Sequence, residues 1–503
     1  MLRVAVRVDA SRQIGTGHLM RCLTLADAIR RRDGIIRFIS RHMPDHLLRL
    51  VTQHGHEFVA LEGQNGCATS ELPYSEWLGT TEAADAEATR QALRGESWDL
   101  LVVDHYALSA RWETALRDVA KRILVIDDLA EHPHDCDLLL DQNDLSADRC
   151  PDGKLPAHCR LLLGPKYALL REEFQQLHEQ VEARSGNVRR MLIFMGGMDT
   201  GNHTAQAIEA LDGAAVPDLE VDVVIGKQHP HREQIESACA IRGYRCHVQT
   251  SGMAQLIATA DLAIGSGGSA AWERCCLGLP ALTLCVADNQ ERLIESAAMN
   301  GLLYAARLKG NAVTTLAHHL QALLDNPIIL QSMSRNGLRT VDGRGTERVL
   351  RALGCSRLSI REATRADSGD ILSWRNHPAV RAVSRNTDVI DQAVHQAWFE
   401  SVLTNPDRVV LIGETGGQPV GVARFDIAEG EARISIFLAP GLSGRGLGSE
   451  LLTAAEDWLI GHRQDVRRVV AEVLGANQSS HALFQAGDYR SCSTVYVKRL
   501  DGQ

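Results

Sequence analysis

Residues 7–22 read RVDASRQIGTGHLMRC. The stretch leaves a strand pattern, turns through Gly15-Thr16-Gly17 and enters an amphipathic helix at once, the strand–loop–helix order of a nucleotide-type crevice. Glycines at 15 and 17 permit a tight turn that points successive N–H groups outward, which suits an anionic ligand. His18 then stands at the mouth of that crevice. An imidazole titrates near neutral pH, so it can take a proton from water as water attacks an electrophilic carbon.

Outward from this stretch, short apolar runs alternate with helical patterns. Strand patterns at 4–8, 37–39, 100–104 and 123–127, with helices at 18–32 and 112–121, predict a parallel sheet covered on both faces. After a charged helix at 171–183 the alternation restarts at 191–197 and continues through 221–225, 262–264 and 280–285. Two α/β lobes, each with a glycine-rich loop after its first strand, predict a cleft between them. The sequence VDGRGTERVLRALGCS at 341–356 marks a boundary. Beyond it come a helix near 368–376, strand patterns at 409–413, 420–425 and 432–438, a glycine-rich turn and a helix at 450–462. The predicted domains are therefore 1–165, 166–342 and 356–503.

A chain of 503 residues exceeds what one hydrophobic core supports. With 45% hydrophobic residues, 23% charged residues and a net charge of -10, it is an ordinary globular composition that argues against a nucleic-acid partner. Arg3, Arg7 and Asp9 interrupt the first apolar run, which excludes a signal peptide there, and no stretch approaches the roughly 20 apolar residues of a membrane span. The expectation is a cytoplasmic protein with no membrane partner. Twelve cysteines with no C-x-x-C pair read as reduced core thiols. His132, His134 and Cys136 flank Pro133 and read as a surface loop, so no metal is expected.

In the second lobe, Gly265-Ser266-Gly267-Gly268-Ser269-Ala270-Ala271-Trp272-Glu273 is followed by Gly278-Leu279-Pro280 and Asn289-Gln290. The turn at Gly267, Gly268 and Ser269 exposes N–H groups suited to a diphosphate, and Glu273 lies where a carboxylate accepts from ribose hydroxyls. In the first lobe Asp104-His105-Tyr106 ends a strand. Tyr106 offers a hydroxyl to a sugar or a water, or packs as a half-buried loop tyrosine. Asp127 and Asp128 suit sugar hydroxyls, a divalent metal or, more commonly, a helix cap.

These motifs resemble a known family. The pattern Arg7-x-Asp9-x-Ser11-x-x-Ile14-Gly15-x-Gly17-His18-x-x-Arg21-Cys22, with Asp104-x-Tyr106, Ile126-Asp127-Asp128, 136–143 (CDLLLDQN), Gly196-Gly197-x-Asp199 and the 265–290 segment, resembles the UDP-2,4-diacetamido-2,4,6-trideoxy-β-L-altropyranose hydrolases of pseudaminic acid biosynthesis. The resemblance spans about the first 340 residues. It implies a two-lobed glycosyltransferase-B fold and attack of water on the anomeric carbon, expelling UDP with inversion. It implies His18 as general base and Tyr106 as cleft tyrosine. Asp9, Gly15, Gly17 and Arg21 fall in its substrate-binding motif, Glu273 at its ribose acid, and Asn289 and Gln290 where pyrophosphate or sugar is held. Residues 130–134 (AEHPH) depart from the arginine-containing version of the family's loop.

The third unit carries Gly444-Arg445-Gly446-Leu447-Gly448-Ser449, then a strand pattern at 468–473 and Asn477-x-x-Ser480-x-x-Leu483-Phe484-x-x-Gly487-Asp488-Tyr489. This order resembles the GCN5-related N-acetyltransferases over about the last 145 residues. The resemblance implies acetyl-CoA as co-substrate, with Gly444, Arg445, Gly446, Gly448, Ser449 and Asn477 around its pyrophosphate. A strand ending near Leu438 would splay to hold the pantetheine. Ser443 and Phe484 depart from the family, the latter where many members carry a tyrosine acid that only Tyr489 or Tyr496 would replace. Trp374-Arg375-Asn376 resembles the acceptor side of enzymes that acetylate nucleotide amino sugars, although Trp374 and Trp398 read equally as core aromatics. Glu472 reads either as the acceptor of the amine proton or as a surface salt bridge.

The combined expectation is a bifunctional enzyme. Its C-terminal domain would acetylate UDP-4-amino-4,6-dideoxy-N-acetyl-β-L-altrosamine, and its N-terminal lobes would hydrolyse the product on the way to a flagellin or surface glycan, alongside other nonulosonic acid enzymes. A UDP-sugar glycosyltransferase, or an acetyltransferase-like module that only recruits sugar nucleotides, are the alternatives.

Overall fold

The computed structural model describes residues 2–11, 13–62, 74–129, 132–143, 154–213, 218–308, 310–355, 358–444, 446–487 and 489–492. The chain divides into two compact units, Met1–Cys355 and Ser356–Gln503.

The first unit holds two parallel sheets. In the first lobe lie β1 (Arg3–Val8), β2 (Ile35–Ser40), β3 (Glu57–Ala60), β4 (Leu100–Asp104), β5 (Ile123–Ile126), β6 (Leu138–Asp141) and β7 (Arg160–Leu163), in spatial order β3-β2-β1-β4-β5-β6-β7. The strands β4, β5 and β6 are buried along their whole length, which is why they appear in sequence as unbroken apolar runs. The order reverses between β1 and β4, where Val8 pairs with Asp104. The loop after β1 and the end of β4 therefore open on one crevice at the carboxyl edge of the sheet.

The second lobe repeats the plan with β8 (Arg190–Phe194), β9 (Glu220–Ile225), β10 (Arg245–Val248), β11 (Leu262–Ser266), β12 (Ala281–Leu284) and β13 (Tyr304–Ala306), in order β10-β9-β8-β11-β12-β13. Its reversal lies between β8 and β11, where Phe194 pairs with Gly265 just ahead of the two glycine turns. Two Rossmann-like lobes in one unit form the glycosyltransferase-B-like architecture expected above.

The segment read as a boundary has a structural task. Its helix, Gly345–Ala352, returns to the first lobe, where Val349, Leu350 and Leu353 join the core around Leu19, Cys22 and Ile29. Glu347 meets Arg32 at 2.5 Å, and Arg122 Nη2 donates to the Leu353 carbonyl at 2.8 Å. The helix expected over 112–121 covers only Ala110–Ala115, where Arg90 takes the Ala115 carbonyl. The edge strands β3 and β10 carry little buried side-chain surface, so their sequences lack the pattern that marks their neighbours.

The second unit holds β14 (Ser359–Glu362), β15 (Arg408–Thr415), β16 (Gln418–Ala428), β17 (Glu431–Leu438) and β18 (Arg468–Ala471), in sequence order. All neighbours are antiparallel except β17 and β18. That parallel pairing ends at Ile434 opposite Ala471, while β17 runs on to Leu438. The last residues of β17 are thus splayed from β18. The helix Leu447–His462 packs close to β15 and β16 because Gly413 and Gly421 are bare, a Cβ on either meeting Leu451 at 2.6 and 2.8 Å. No helix among the described residues is long and apolar enough to cross a membrane.

Candidate active sites

His18 occupies the first turn of the helix Gly17–Arg30, at the crevice of the first lobe. Its Nδ1 lies 2.6 Å from Oδ1 of Asp104, the last residue of β4. One turn on, Arg21 donates to the same carboxylate from Nε at 2.6 Å and Nη2 at 2.7 Å, and reaches Asp128 with Nη1. Burial pushes the Asp104 carboxyl up, but the Arg21 charge and the hydrogen bonds from Arg21 and His18 outweigh it and hold the group well below the usual carboxylate range. An ionised carboxylate only accepts, so Nδ1 is the donor to Asp104, and in the neutral ring this tautomer leaves the lone pair on Nε2. Nε2 has no hydrogen-bond partner among the described residues. Tyr106 stands edge-on to the imidazole at 4.7 Å and donates its hydroxyl to Asp128 at 3.1 Å. Burial and the Asp128 charge push its phenol up, so it remains a donor.

Two expected substrate contacts are corrected. Asp9 is fully buried, gripped by Arg7 at 2.7 and 3.0 Å and by the Ser40 hydroxyl and Arg41 N–H, each at 2.8 Å. Arg7 in turn holds Asp85 at 3.0 and 2.9 Å. Asp9 therefore locks the floor of the lobe and does not face a ligand. Arg21 likewise spends Nε, Nη1 and Nη2 on Asp104 and Asp128.

The glycine turns of the two lobes face each other. A Cβ on Gly17 would stand 3.5 Å from Ser269 Oγ, and one on Gly197 would stand 3.6 Å from Thr16 Oγ1. Gly15 has φ +79° and open space above it. On the second lobe, Gln290 Oε1 accepts from Gly267 N–H at 3.2 Å and Val286 N–H at 3.4 Å, so this side chain ties the turn together. Gly268 lies 3.9 Å from the Gln290 amide nitrogen, measured from its ideal Cβ. Glu273 sits 3.6 Å from Arg171, and burial pushes its carboxyl up. Asn289 is half-buried in the single turn Asp288–Gln290. Trp272 Nε1 donates to Asn143 at 2.7 Å and Arg292 to the Leu129 carbonyl at 3.1 Å, linking the lobes beside the crevice. Asp199 caps the helix His203–Leu211 through the Thr204 N–H and hydroxyl at 2.8 and 2.6 Å.

The expected surface loop at 132–136 is a further correction: His132, His134 and Cys136 are all buried. His134 lies between Glu113 at 2.6 Å and Asp127 at 3.3 Å. Burial disfavours its charge, but the two carboxylates prevail and raise it to about 10. Asp127 is held by this cation at about 2. Among the described residues no group of three or more His, Cys, Asp or Glu could hold a metal ion.

In the second unit, Gly444 and Gly446 adopt φ +79° and +77° with open space where a Cβ would point. Gly448 and Ser449 follow in the first turn of the helix Leu447–His462, beside the splayed end of β17 at Leu438, and Arg445 lies outside the described residues. Four residues picked out in sequence converge on one segment, 383–390. Arg375 donates to the Asn386 carbonyl at 3.1 Å, and Asn376 both donates to and accepts from Ile390, at 2.9 and 2.8 Å. Asn477 caps the helix Gln478–Ala486 and donates to the Val383 carbonyl at 3.4 Å. Glu472 pairs with Arg385 at 3.0 Å and Arg433 at 2.9 Å, which is the surface salt bridge rather than a free base. Trp374 and Trp398 pack against the core around Phe399, and Arg424 lies over Trp398 at 5.8 Å. Tyr489 donates to Glu456 at 2.6 Å, and burial with that carboxylate pushes its phenol up. Phe484 packs edge-on against it at 5.0 Å, and Tyr496 lies outside the described residues.

Residues 371–487 match the Acetyltransferase (GNAT) family. Over 294 residues, 58% of this chain and 94% of the relative, the chain is 25% identical to the UDP-2,4-diacetamido-2,4,6-trideoxy-beta-L-altropyranose hydrolase of Campylobacter jejuni. The chain is a homologue of that hydrolase with a C-terminal GNAT acetyltransferase domain. A spore coat polysaccharide biosynthesis protein of Bacillus subtilis is 24% identical over 356 residues, covering 69% of this chain and 96% of its own. Acinetobacter baumannii MurG aligns with a TM-score of 0.47 at 14% identity, covering 71% of this chain and 100% of that one.

Sequence reading singles out His18 and Tyr106, and takes Asp104 only as part of a motif and Asp128 as a sugar or metal ligand or helix cap; the structure places both carboxylates against the His18, Arg21 and Tyr106 cluster. The available signal was a charged residue closing the buried run LLVVD at the point where strand order reverses.

Proposed function

We propose that the first unit hydrolyses UDP-2,4-diacetamido-2,4,6-trideoxy-β-L-altropyranose to UDP and the free sugar, and that the GNAT domain makes that substrate by acetylating the 4-amino precursor. The observation that carries the hydrolase reading is the His18–Asp104 pair, set across a glycine-lined crevice from the Ser269 turn. Water entering between them would lose a proton to His18 Nε2 as its oxygen bonds to the anomeric carbon. The bond from that carbon to the diphosphate oxygen breaks, and its electron pair leaves with UDP on the opposite face, inverting the centre. Asp104 stabilises the imidazolium that forms and fixes the tautomer. The N–H groups of Gly268 and Ser269 receive the charge growing on the leaving diphosphate.

In the GNAT domain, the splayed end of β17 offers unpaired backbone groups to the pantetheine amides, and the open turn at Gly444 and Gly446 offers N–H groups to the CoA pyrophosphate. The sugar amine attacks the thioester carbon, expels the CoA thiolate and loses a proton. Segment 383–390, held by Arg375, Asn376, Glu472 and Asn477, then borders the acceptor.

The test is incubation of the purified chain with the UDP-4-amino sugar, with and without acetyl-CoA, following acetylation and UDP release by mass spectrometry. UDP should appear only after acetyl-CoA is added, and His18→Ala should abolish its release while acetylation continues. No UDP from either the amino sugar or its acetylated form would overturn the hydrolase assignment.

A further inference from the structure

Arg274 lies behind the Gly265–Ser269 turn and is 3% exposed. Its Nη2 donates to the Ser266 carbonyl at 2.7 Å, and its Nη1 fills the space of a missing side chain, 2.7 Å from an ideal Cβ on Gly265. Nε is buried with no partner among the described residues. The other deeply buried arginines differ: Arg7 and Arg21 each hold two carboxylates. Arg274 has no carboxylate within ion-pair distance among the described residues, because the adjacent Glu273 turns to Arg171 at 3.6 Å. The cavity it borders measures about 10 Å³ and is walled by Leu192, Phe194, Met253 and Ile257, which leaves no room for a counter-ion. Burial pulls this guanidinium down to about 10.

A buried cation without a counter-charge is costly, so its neutralising partner is to be sought on the open side of the turn it supports. There the donors are already arranged. With the Ser266 carbonyl drawn inward by Arg274 and the Gly267 N–H tied to Gln290, the N–H groups of Gly268 and Ser269 make no hydrogen bond among the described residues. We infer that Arg274 is the buried counter-charge of a nucleotide's diphosphate group, completing an anion subsite whose direct contacts are the Gly268 and Ser269 N–H groups. The inference rests on reading the second lobe as the nucleotide site. Arg274 is a positioning residue: it orients the turn through Ser266 and supplies a fixed field, strong in a low-dielectric surround, where the leaving diphosphate gains charge.

The experiment compares UDP with uridine, which lacks the phosphates, binding to the full chain, with the thermal melting transition of the first unit as a folding control. Arg274→Met should weaken UDP binding by about 30-fold while changing uridine binding by less than about threefold, and should flatten the salt dependence of UDP affinity. Arg274→Lys, which keeps the charge, should retain most of the preference for UDP. Equal loss of UDP and uridine affinity in the Met variant would mean a purely structural arginine and overturn the inference, as would no loss of either. Should the Met variant fail to fold, the Lys variant decides, since loss of its UDP preference overturns the proposal and retention supports it. A wild-type chain that binds neither compound refutes the nucleotide reading itself, a different result from any of these.

Discussion

His18 Nδ1 lies 2.6 Å from Asp104 Oδ1, and that carboxylate is held ionised by Arg21 from the other side. The pair spans two elements, the helix after β1 and the end of β4, so the orientation of the base depends on the register between these strands. Asp104→Asn preserves the shape but removes the charge that selects the tautomer. UDP release should fall by about 10²–10⁴-fold with acetylation unchanged, measured as separate steady-state rates on the same preparation.

Gly17 sets the width of the crevice. An alanine there meets Ser269 Oγ at an ordinary 3.5 Å and should cost less than about threefold in hydrolysis. Gly17→Leu extends into the crevice and should raise KM for the UDP-sugar by about tenfold or more. Substrate titration of the two variants would separate these outcomes, and equal behaviour would show that the turns do not face each other in the working enzyme.

His134 makes stability depend on pH. Unfolded, a histidine titrates near 6.5; folded, this one keeps its proton to about 10. The folded state therefore binds the extra proton, and the stabilisation is complete below 6.5 and lost as pH rises through about 10. The melting temperature of the first unit should fall over that window. His134→Gln should melt lower at pH 6.5 and decline less steeply, and parallel curves for the two proteins would refute the account.

The acetyltransferase domain should not depend on the carboxylate proposed from sequence. Glu472 is half-exposed and paired with two arginines, so Glu472→Gln should change kcat by less than about threefold. Tyr489→Phe removes the bond to Glu456 and should cost about 1 kcal/mol of stability with little effect on thioester cleavage, read by thermal melting and by release of free thiol.

What was legible in the sequence was whatever the chain writes locally. Buried strands such as β4 and β5 are continuous apolar runs, and the turns at Gly15, Gly268 and Gly444 announce themselves by residue type. What was not legible depends on partners far along the chain. His134 looks polar and exposed until Glu113 and Asp127 close around it, and Asp9 looks like a ligand until Arg7 claims both its oxygens. Glu472 was undecided because its fate rests on Arg385, a residue 87 positions earlier. Arg274 carries no local signal beside Glu273 in the sequence, and only burial without a counter-charge marks it.

The return of the helix Gly345–Ala352 to the first lobe means that the backbone passes between the lobes twice, once after β7 and once before this helix. Two backbone connections restrain the lobes more than one would, and so help to hold the turn at Gly17 at a constant spacing from Ser269 across the crevice.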